Sequence, residues 1–470
     1  MRLVWRSLKW TLLALLATVL LVVAINAFDE PLRPEVRAAL QPPVETVPPQ
    51  DNLFYALLGF TSPSADPVQA GIAERRRLER APPTGKAQDI GAELRRQQSD
   101  GMPGALRFQG DPGPLNEAGA TLGEMLAALQ AGRIDDQAVV AANQVLLARY
   151  RSLRRYGQSA NYLRSDAQVN APVPLGAITT ARKVWLLSLA GMVARQEIDA
   201  AVRELRDDTL FWRAMLAQAQ TPLIDKMILT AFVLRDLQSG SELVHLGLAA
   251  QQRGVLAEAA GPLTPAERSL AGALLNETRF AATLLARQAQ DGLGPFDPSS
   301  ADEGKPLTPA VRRALDRAAA YFFQPKAVIN QHHRAMRKLL ELDAHDCRRF
   351  QADGQALEAG EEPDWWRLAY NPIGKIVLSA AGNGSMYHRY TGRLCDLQGF
   401  QRLLALQIHL RDEGVTPQTP PADIERRIQQ AGAGYADPFT GGPMHWAPAR
   451  QGLAFGAADD RNRKMLPWPL

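Results

Sequence analysis

The most pronounced hydrophobic pattern in the chain is an uninterrupted apolar run near the N-terminus. Nineteen residues from Trp10 to Phe28 carry no charge. A helix of this length, with a rise of about 1.5 Å per residue, nearly covers the ~30 Å hydrocarbon core of a bilayer. Residues 1–9 before it contain basic side chains and no acid, and such flanks stay in the cytoplasm. We therefore predict a cytoplasmic tail at 1–9, a transmembrane anchor in the lipid bilayer at 10–28, and a periplasmic body, in a single-pass protein of the bacterial inner membrane.

A cleaved signal peptide is the alternative interpretation of the same run, with the cut after Ala27. Ile25 would then occupy a position at which a small residue is required. The apolar run is also longer than the usual signal core of about 7–15 residues. Both observations favour an anchor that is not cleaved.

Between this run and the first long helical pattern, residues 29–114 are rich in proline. Proline fixes φ and removes a backbone donor, so we predict an extended stalk or strap. One amphipathic stretch interrupts it at Asp51–Phe60, where Asp51 is placed to cap a short helix. Ten residues do not hold a helix in water by themselves, so we expect this helix to pack on the folded body.

From residue 115 onward, apolar residues recur at steps of three and four, which predicts helices. Residues 115–290 are typical of consecutive antiparallel helices with short turns, one of them at Arg195–Gln196, and so of an α-hairpin array. Thr221, which precedes a proline, is placed to cap one of these helices. Residues 291–413 form a second helical region, and Gly414 is placed to end its last helix.

The last segment, 414–470, is rich in turns, with two short strands predicted around Met444–Trp446 and Leu453–Phe455. Its stretch DPFTGGPMHW begins at Asp437 and follows a helix that ends in LLALQIHLRDEGVTP, from Leu403 onward. This layout resembles a C-terminal module of uncharacterised bacterial envelope proteins. It is also loosely similar to the C-terminal region of type II secretion major pseudopilins. The resemblance is confined to this tail.

The resemblance implies that the tail is a packing module. Asp437 would cap a turn in which Pro438 fixes φ and Gly441 matches the turn glycine. Phe439 and Trp446 would anchor the turn to the preceding helix. Because the chain lacks a prepilin sequence close before this layout, neither incorporation into a pilus nor the calcium site of some pseudopilins is carried over.

The composition agrees with this architecture. Hydrophobic residues make up 46% and charged residues 22% of the chain, which is ordinary for a globular protein. Alanine, leucine and arginine are abundant, and these residues favour helices. The predicted fold is therefore mainly α: an N-terminal transmembrane helix, a proline-rich stalk, an α-hairpin array, and a small α+β C-terminal module.

The net charge argues against binding of nucleic acid. The formal value is +4, and Arg2, Arg6 and Lys9 of the N-terminal tail account for three of these charges. The remaining excess is too small to attract a phosphate backbone. We therefore expect no nucleic-acid partner.

Two cysteines, Cys347 and Cys395, are the whole complement of the chain, and both follow the predicted anchor. An oxidising periplasm would permit a disulfide between them. Two buried free thiols are the alternative, because a free cysteine behaves as a small hydrophobe.

Metal-binding chemistry has one weak candidate. His333, Glu341 and His345 are separated by multiples of four residues, so they follow one face of a predicted helix. Arg337 occupies the turn between them, and a cation there opposes metal binding. We therefore predict no metal and no cofactor.

The strongest enzymatic alternative is a glycan hydrolase. Paired carboxylates can act as general acid and base while aromatic rings stack on sugars, and the chain places acids beside aromatic residues at 361–370. The candidate catalytic residues are Glu361, Glu362 and Asp364, and the candidate binding residues are Trp365, Trp366 and Tyr370. The same acids also suit the start of a helix, where they would stabilise its positive end.

The sequence contains none of the common hydrolase signatures. The leading hypothesis is therefore that the protein is not an enzyme. It would be an inner-membrane-anchored periplasmic scaffold or assembly protein that binds another, unknown envelope protein, since helical arrays present extended surfaces to partners. The alternatives are the glycan-acting hydrolase and, from the resemblance of the tail alone, an accessory protein of a secretion system.

Overall fold

The structure is a computed structural model that describes residues 2–41, 43–80, 105–162, 173–218, 221–291, 308–359, 369–380 and 384–470. In these ranges the chain is mainly α-helical, with one apolar helix at the N-terminus and a small three-stranded sheet near the C-terminus. The predicted mainly α class is confirmed at this level.

The N-terminal region contains one long helix and three shorter ones, namely α1 (Arg2–Ile25), α2 (Pro34–Ala39), α3 (Leu53–Leu58) and α4 (Pro67–Arg80). Helix α1 includes Trp5–Ile25, which has a mean hydropathy of 2.4 in its most apolar window, and none of that window is buried. Among the described residues, α1 is the one helix long and apolar enough to cross a membrane.

Where the sequence predicts an extended stalk or strap, the chain forms the helices α2, α3 and α4 with connecting segments between them. Residues 26–41 and 43–60 contact the body, and we call this segment the strap. Its helix α3 is buried, with Phe54 3% exposed, and packs in the largest hydrophobic core, as expected. The predicted cap is wrong. Asp51 belongs to a 3₁₀ turn, and the side chain of Asn52 accepts the bond from the backbone N–H of Phe54. Asn52 also bonds the backbone of Ala160 through both side-chain atoms, at 2.8 and 2.9 Å, which fixes it at that position.

The next helices, several of which contact one another, make up the array: α5 (Pro112–Glu117), α6 (Leu122–Gln130), α7 (Asp136–Ala142), α8 (Gln144–Ser152), α9 (Leu175–Ala194), α10 (Ile198–Leu216), α11 (Leu223–His245) and α12 (Ala250–Ala259). The turn between α9 and α10 is where it was predicted, and Gln196 takes a positive φ of 64° there. The predicted cap of α11 is wrong, because Pro222 is the N-cap and Thr221 Oγ1 donates to Gln218 O.

The second helical region contains α13 (Pro265–Arg268), α14 (Ala271–Asp291), α15 (Pro309–Tyr321), α16 (Pro325–Asp343), α17 (Phe350–Ala359), α18 (Pro372–Ala380) and α19 (Gly384–Asp412). The long helix α19 packs along α11 of the array, so the two regions share one body. Gly414 ends α19 as predicted, with a φ of 78° that suits glycine at a helix C-terminus.

The C-terminal module consists of α20 (Pro421–Gln430), β1 (His445–Ala447), β2 (Gly452–Ala454), α21 (Asp460–Arg463) and β3 (Trp468–Pro469). The strands form an antiparallel sheet in the order β1-β2-β3, with Leu453 paired to Trp446 on one side and to Trp468 on the other. The two predicted strands are confirmed, and the third was missed. The sheet packs on α19 through Phe400, whose ring centroid lies 5.0 Å from that of Phe455 and 4.8 Å from that of Trp468.

Three hydrophobic clusters follow one another along the body. The first, which we call the joint cluster, contains Val36, Ala282, Leu285, Phe323, Val328 and Ile329. A middle cluster follows along α14 and α16, and the main core then encloses the array and the C-terminal module. Helices α11 and α19 contribute to both the middle cluster and the main core, whereas none of the described residues of the array belongs to the joint cluster. We call the part of the body that holds the array its far end.

Cys347 and Cys395 form a disulfide, with their Cα atoms 5.7 Å apart. The bond ties the 3₁₀ turn before α17 to the middle of α19. Both cysteines are buried. Of the two alternatives that the sequence left open, the structure contains the bridge.

Candidate functional site: the joint between the N-terminal helix and the body

Asn26, the first residue after α1, is the point at which the apolar helix meets the body. It is 1% exposed, although the apolar window of α1 itself is not buried. Asn26 Nδ2 donates to Val22 O at 2.8 Å and to Ala369 O at 2.7 Å, and Asn26 Oδ1 accepts from the N–H of Asn371 at 2.8 Å. The backbone carbonyl of Asn26 accepts from Gln324 Nε2 at 2.6 Å. The side chain of Asn26 thus satisfies a carbonyl at the end of α1 and bonds that end to residues 369–371, while the backbone carbonyl of Asn26 bonds it to Gln324.

Asp29 connects the strap to the start of α16. Its Oδ2 accepts from the N–H of Lys326 at 2.9 Å, and its Oδ1 accepts from the N–H of Ala327 at 3.1 Å. The N-cap residue of α16, Gln324, makes no side-chain capping bond of its own. Asp29 therefore caps α16 from about 300 residues away in sequence, and its negative charge is stabilised at the positive end of that helix.

One turn further along α16, Asn330 holds the next part of the strap. It is 2% exposed. Its Nδ2 donates to Glu30 Oε1 at 2.8 Å and to Pro31 O at 3.0 Å, and its Oδ1 accepts from the N–H of Arg33 at 3.1 Å. The joint cluster then packs beneath these bonds, through Val36 of α2.

The turn before α18 also contributes to the site. Asn371 has a φ of 52°, and its Oδ1 accepts from the backbone N–H groups of Gln324 and Gly374, at 2.9 and 3.1 Å. Gly374 has to be a glycine here, because a Cβ atom would come within 2.3 Å of Asn371 Oδ1 and of Val328 Cγ2. This close approach brings α16 and α18 together around Asn26.

We call the set formed by Asn26, Asp29, Glu30, Gln324, Asn330 and Asn371 the joint. Four of its six side chains are neutral amides, which neither titrate nor act as nucleophiles at physiological pH. Its hydrogen bonds connect α1, the strap, α16 and α18, and an apolar cluster lies beneath them. Such an arrangement suits mechanical coupling of the N-terminal helix to the body and not bond-breaking chemistry.

Tyr370 is the one residue of the predicted glycan-binding set that the structure describes, and it belongs to this region. Its hydroxyl accepts from the N–H of Glu30 at 3.3 Å and donates to Phe28 O at 3.4 Å, so it contacts the strap. The other residues of that set lie outside the described residues: Glu361, Glu362, Asp364, Trp365 and Trp366.

The predicted polar face at 333–345 does not converge on one point. His345 Nδ1 lies 2.9 Å from Asp353 Oδ2. His333 and Glu341 instead line a surface cavity of about 280 Å³ together with basic side chains that include Arg337. In the part of the chain that the structure describes, no three histidine, cysteine or acidic side chains are grouped as metal ligands would be.

In the tail, Asp437 stands at the centre of a tight turn. It is fully buried; its Oδ1 accepts from the N–H of Phe439 at 2.8 Å, and its Oδ2 accepts from the N–H of Gly456 at 3.1 Å. Gly441 donates back to Asp437 O at 2.8 Å with a φ of 72°. Pro438 is buried beside it.

The two aromatic residues of the tail pack inward. The ring of Phe439 meets that of Phe350 edge to face, with centroids 5.9 Å apart. Trp446 is partly buried against the main core. The stretch that begins at Asp437 therefore has the geometry of a packing element, and His445 in β1 is exposed.

A second polar site, which sequence reasoning missed, lies inside the array. Arg182, Asp208 and Asp236 are 6%, 1% and 1% exposed, and with Tyr150 and Trp212 we call them the buried charge cluster. Arg182 donates to Asp236 Oδ1. Asp208 Oδ2 accepts from Tyr150 Oη at 2.9 Å and from Trp212 Nε1 at 3.0 Å. One guanidinium thus faces two carboxyl groups in the interior.

Burial is the main influence on these carboxyl groups. It raises the pKa of Asp208 to about 6, although the nearby Arg182 and Arg154 act in the opposite direction. Burial also raises the pKa of Asp236 well above its usual value, against the attraction of Arg182. The side chains of the cluster form hydrogen bonds with one another. We therefore interpret the cluster as a structural network. The available sequence signal was Arg182 itself, which lies four residues after Ile178 and three before Trp185, on an otherwise buried helical face.

The raised pKa of Asp208 predicts a pH-dependent stability. Its folded-state pKa of about 6 exceeds the ordinary value of 3.8, so the folded state holds this proton more tightly than the unfolded state. Stability should therefore fall as pH rises from 4 to 7, by about 3 kcal/mol from this group. In the Asp208→Asn variant, the unfolding free energy should decrease less between pH 4 and pH 7 than it does in the wild type. Denaturant titrations of both proteins at several pH values measure the difference.

A matched control is Glu204→Gln. This variant should remove a contribution to the unfolding free energy that increases with pH, whereas Asp208→Asn removes one that decreases with pH. Burial tends to raise the pKa of Glu204, but its bonds and charge interactions with Arg154 and Arg151 outweigh burial and lower it. Its stabilisation is present above the unfolded-state pKa and is lost as pH falls. Parallel curves for the wild type and Asp208→Asn would contradict the assignment.

The tail geometry is compatible with the packing role that the resemblance to pseudopilins implies. A buried aspartate that caps a turn is nevertheless a local device open to many folds, so the resemblance itself stays a prediction. No protein-family model, no curated protein and no solved structure matches this chain.

Proposed function

We propose that this chain is a single-pass inner-membrane protein whose helical body stands in the periplasm and serves as a scaffold or assembly platform for another envelope protein. In this proposal α1 is the anchor, the basic tail before it stays in the cytoplasm, and the far end of the body meets the partner. No catalytic step is included.

The observation that carries the proposal is the burial of Asn26. A flexible tether would leave the body free to turn relative to the membrane, whereas the joint fixes α1 to α16 and α18. Cleavage after Ala27 would remove Asn26 and leave the buried N–H of Asn371 and the carbonyl of Ala369 without these bonds. Each such loss costs about 1–3 kcal/mol. This supports an anchor that is retained in the mature protein.

The disulfide supports the compartment. Disulfides persist in oxidising environments such as the bacterial periplasm and are rare in the cytosol. The Cys347–Cys395 bond lies in the body, on the side of α1 that the positive-inside rule assigns to the periplasm. Sequence and structure thus favour the same orientation by independent chemistry.

The dimensions of the body support the role of a platform. Helix α14 has 21 residues, a length of roughly 30 Å at about 1.5 Å per residue, and it contributes residues to both the middle cluster and the joint cluster. The array and the C-terminal module lie beyond it. Two of the exposed apolar side chains at that far end are Val145, 64% exposed, and Leu246, 57% exposed.

Two measurements in intact cells test the proposal. A reporter that is active only outside the cytoplasm, fused after residue 60, should be active. A photo-crosslinking amino acid at Val145 or Leu246 should give a discrete adduct with another envelope protein. The matched control is the same amino acid at Leu146, which is 2% exposed and should give none.

An inactive reporter would overturn the orientation. An active reporter without any discrete adduct from Val145 or Leu246 would instead leave the anchor in place and overturn the proposed contact with a partner at the far end.

A further inference from the structure

Helix α15 stands out because it is an amphipathic helix with little protein beneath it. It has 13 residues, and its side chains at Val311, Leu315 and Tyr321 are 45%, 50% and 39% exposed. Helices of this length are marginal in water without a packing partner. Near its C-terminal end Ala319 contacts the joint cluster, and the other described side chains of α15 are exposed.

The position of α15 indicates what the missing partner is. Tyr321 Oη donates to the carbonyl of Val23 at 2.7 Å, so the C-terminal end of α15 touches the last turns of α1. The chain enters α15 at Thr308, whose side chain caps it, and leaves it into Phe323, which is buried in the joint cluster. Helix α15 is therefore held at the point where α1 leaves the proposed membrane.

The pattern around α15 has two faces. At about 100° per residue, Val311, Leu315 and Ala318 fall on one side. Arg313 and Arg317 fall on the other side, where Ala320 is also placed. Helices with an apolar face and basic residues opposite lie in the interface of a bilayer, and cations there are attracted to anionic lipids.

We propose that α15 lies flat on the outer surface of the membrane, with Val311 and Leu315 in the region between headgroups and acyl chains. The occupant of its bare apolar face is the lipid surface, which begins where α1 ends. Tyr321 then sits at the level of the headgroups, as aromatic residues at membrane interfaces do. In this arrangement Phe28, which is 79% exposed and lies three residues after the end of α1, also meets the headgroup region. This inference rests on the proposed membrane insertion of α1.

Helix α15 would give the body a second contact with the membrane. A single helix permits rotation and tilting of whatever it carries. Because the joint connects α1 to α16, and α15 leads directly into α16 through Gln324, a lipid-bound α15 restrains the body about both axes. The scaffold would then present its far end in one orientation.

The test uses the full chain in vesicles of phosphatidylethanolamine and phosphatidylglycerol, labelled with an environment-sensitive fluorophore on an introduced cysteine. The native cysteines are bonded to each other and do not react. The informative variant is Leu315→Cys, and the matched control is Ala320→Cys on the opposite face of the same helix. Each sample is exposed to a quencher attached to the lipid chains and, separately, to iodide in the water.

We expect quenching by the lipid-attached quencher to be several-fold stronger at position 315 than at 320, and iodide to show the reverse order. Equal access of iodide to both positions in membrane-bound protein would overturn the proposal while leaving α1 as an anchor. Protection of position 315 from both quenchers would also overturn it, because protein and not lipid would then cover this face. Failure of the chain to stay with the vesicles would overturn both the inference and the proposed anchor.

Discussion

Replacing Arg182 by methionine should lower the free energy of unfolding at pH 7 by about 3–5 kcal/mol, the usual range when one partner of a buried ion pair is removed. The substitution leaves Asp236 and Asp208 buried without their cation. Asp208 Oδ1 and Asp236 Oδ2 already have no hydrogen-bond partner among the described residues, so ionisation becomes still more costly. The loss should therefore be smaller at pH 5 than at pH 8.

Chemical denaturation of the detergent-solubilised protein, followed by tryptophan fluorescence, measures this change. Trp212 is bonded to Asp208 and reports on the cluster directly. The control Arg203→Met removes an exposed arginine from the same array and should stay within about 0.5 kcal/mol of the wild type. The double variant Arg182→Met with Asp236→Leu should recover part of the loss, because a buried pair can often be replaced by apolar residues. A single variant that loses less than about 1 kcal/mol would contradict the predicted destabilisation.

Replacing Asn26 by leucine should loosen the joint without unfolding the array. The side chain keeps its approximate size, but three hydrogen bonds disappear, and the buried N–H of Asn371 and carbonyl of Ala369 lose their partner. At about 1–2 kcal/mol for each of the two unsatisfied groups, the lower part of the usual range because Ala369 is only partly buried, local opening should become easier by roughly 2–4 kcal/mol. Hydrogen exchange at Asn371, measured in a bilayer, should then accelerate by about 30- to 700-fold.

The comparison within the same sample provides one control, because amides of α9 in the main core should exchange at the wild-type rate. Asn116→Leu removes an exposed asparagine from α5 and should leave the exchange of Asn371 unchanged. If Asn26→Leu did not change the exchange of Asn371, the joint could not be the element that fixes α1. If it accelerated exchange throughout the body, Asn26 would be needed for the whole fold and not for the coupling alone.

Features set by short-range chemistry were predictable from the sequence. The turn after α9, the glycine that ends α19 and the two strands of the tail all depend on residues close together in the chain. Periodicity was equally reliable for α9, α10 and α11, which are long and buried. The errors at Asp51 and Thr221 are shifts of one residue in cap position. In the first case, bonds between Asn52 and Ala160 over a separation of 108 residues decide which neighbour becomes the cap.

The joint was not predictable in this way, because its partners are distant in sequence. Proline-rich composition predicted an extended stalk or strap at residues 29–41, where the structure has the short helix α2, and composition carries no information about what such a segment contacts. Asn26 looks like an ordinary polar residue at the end of an apolar run, and its significance depends on Ala369 and Asn371. The buried charge cluster was missed for a related reason, since amphipathic patterns tolerate a single arginine and do not reveal whether an aspartate from another helix meets it.

The separation in sequence between the strap and its bonding partners also limits how early in synthesis this part of the protein can fold. Asn26 bonds to a residue 345 positions later in the chain. At about 5–20 residues per second, roughly 20–70 seconds separate the synthesis of the two. During that time the array can fold on its local contacts and α3 can pack against it, while the part of the strap that bonds to α16 still lacks its partners. The order of synthesis therefore makes the joint one of the last parts of the protein to form, and it places the final folding step at the end of α1.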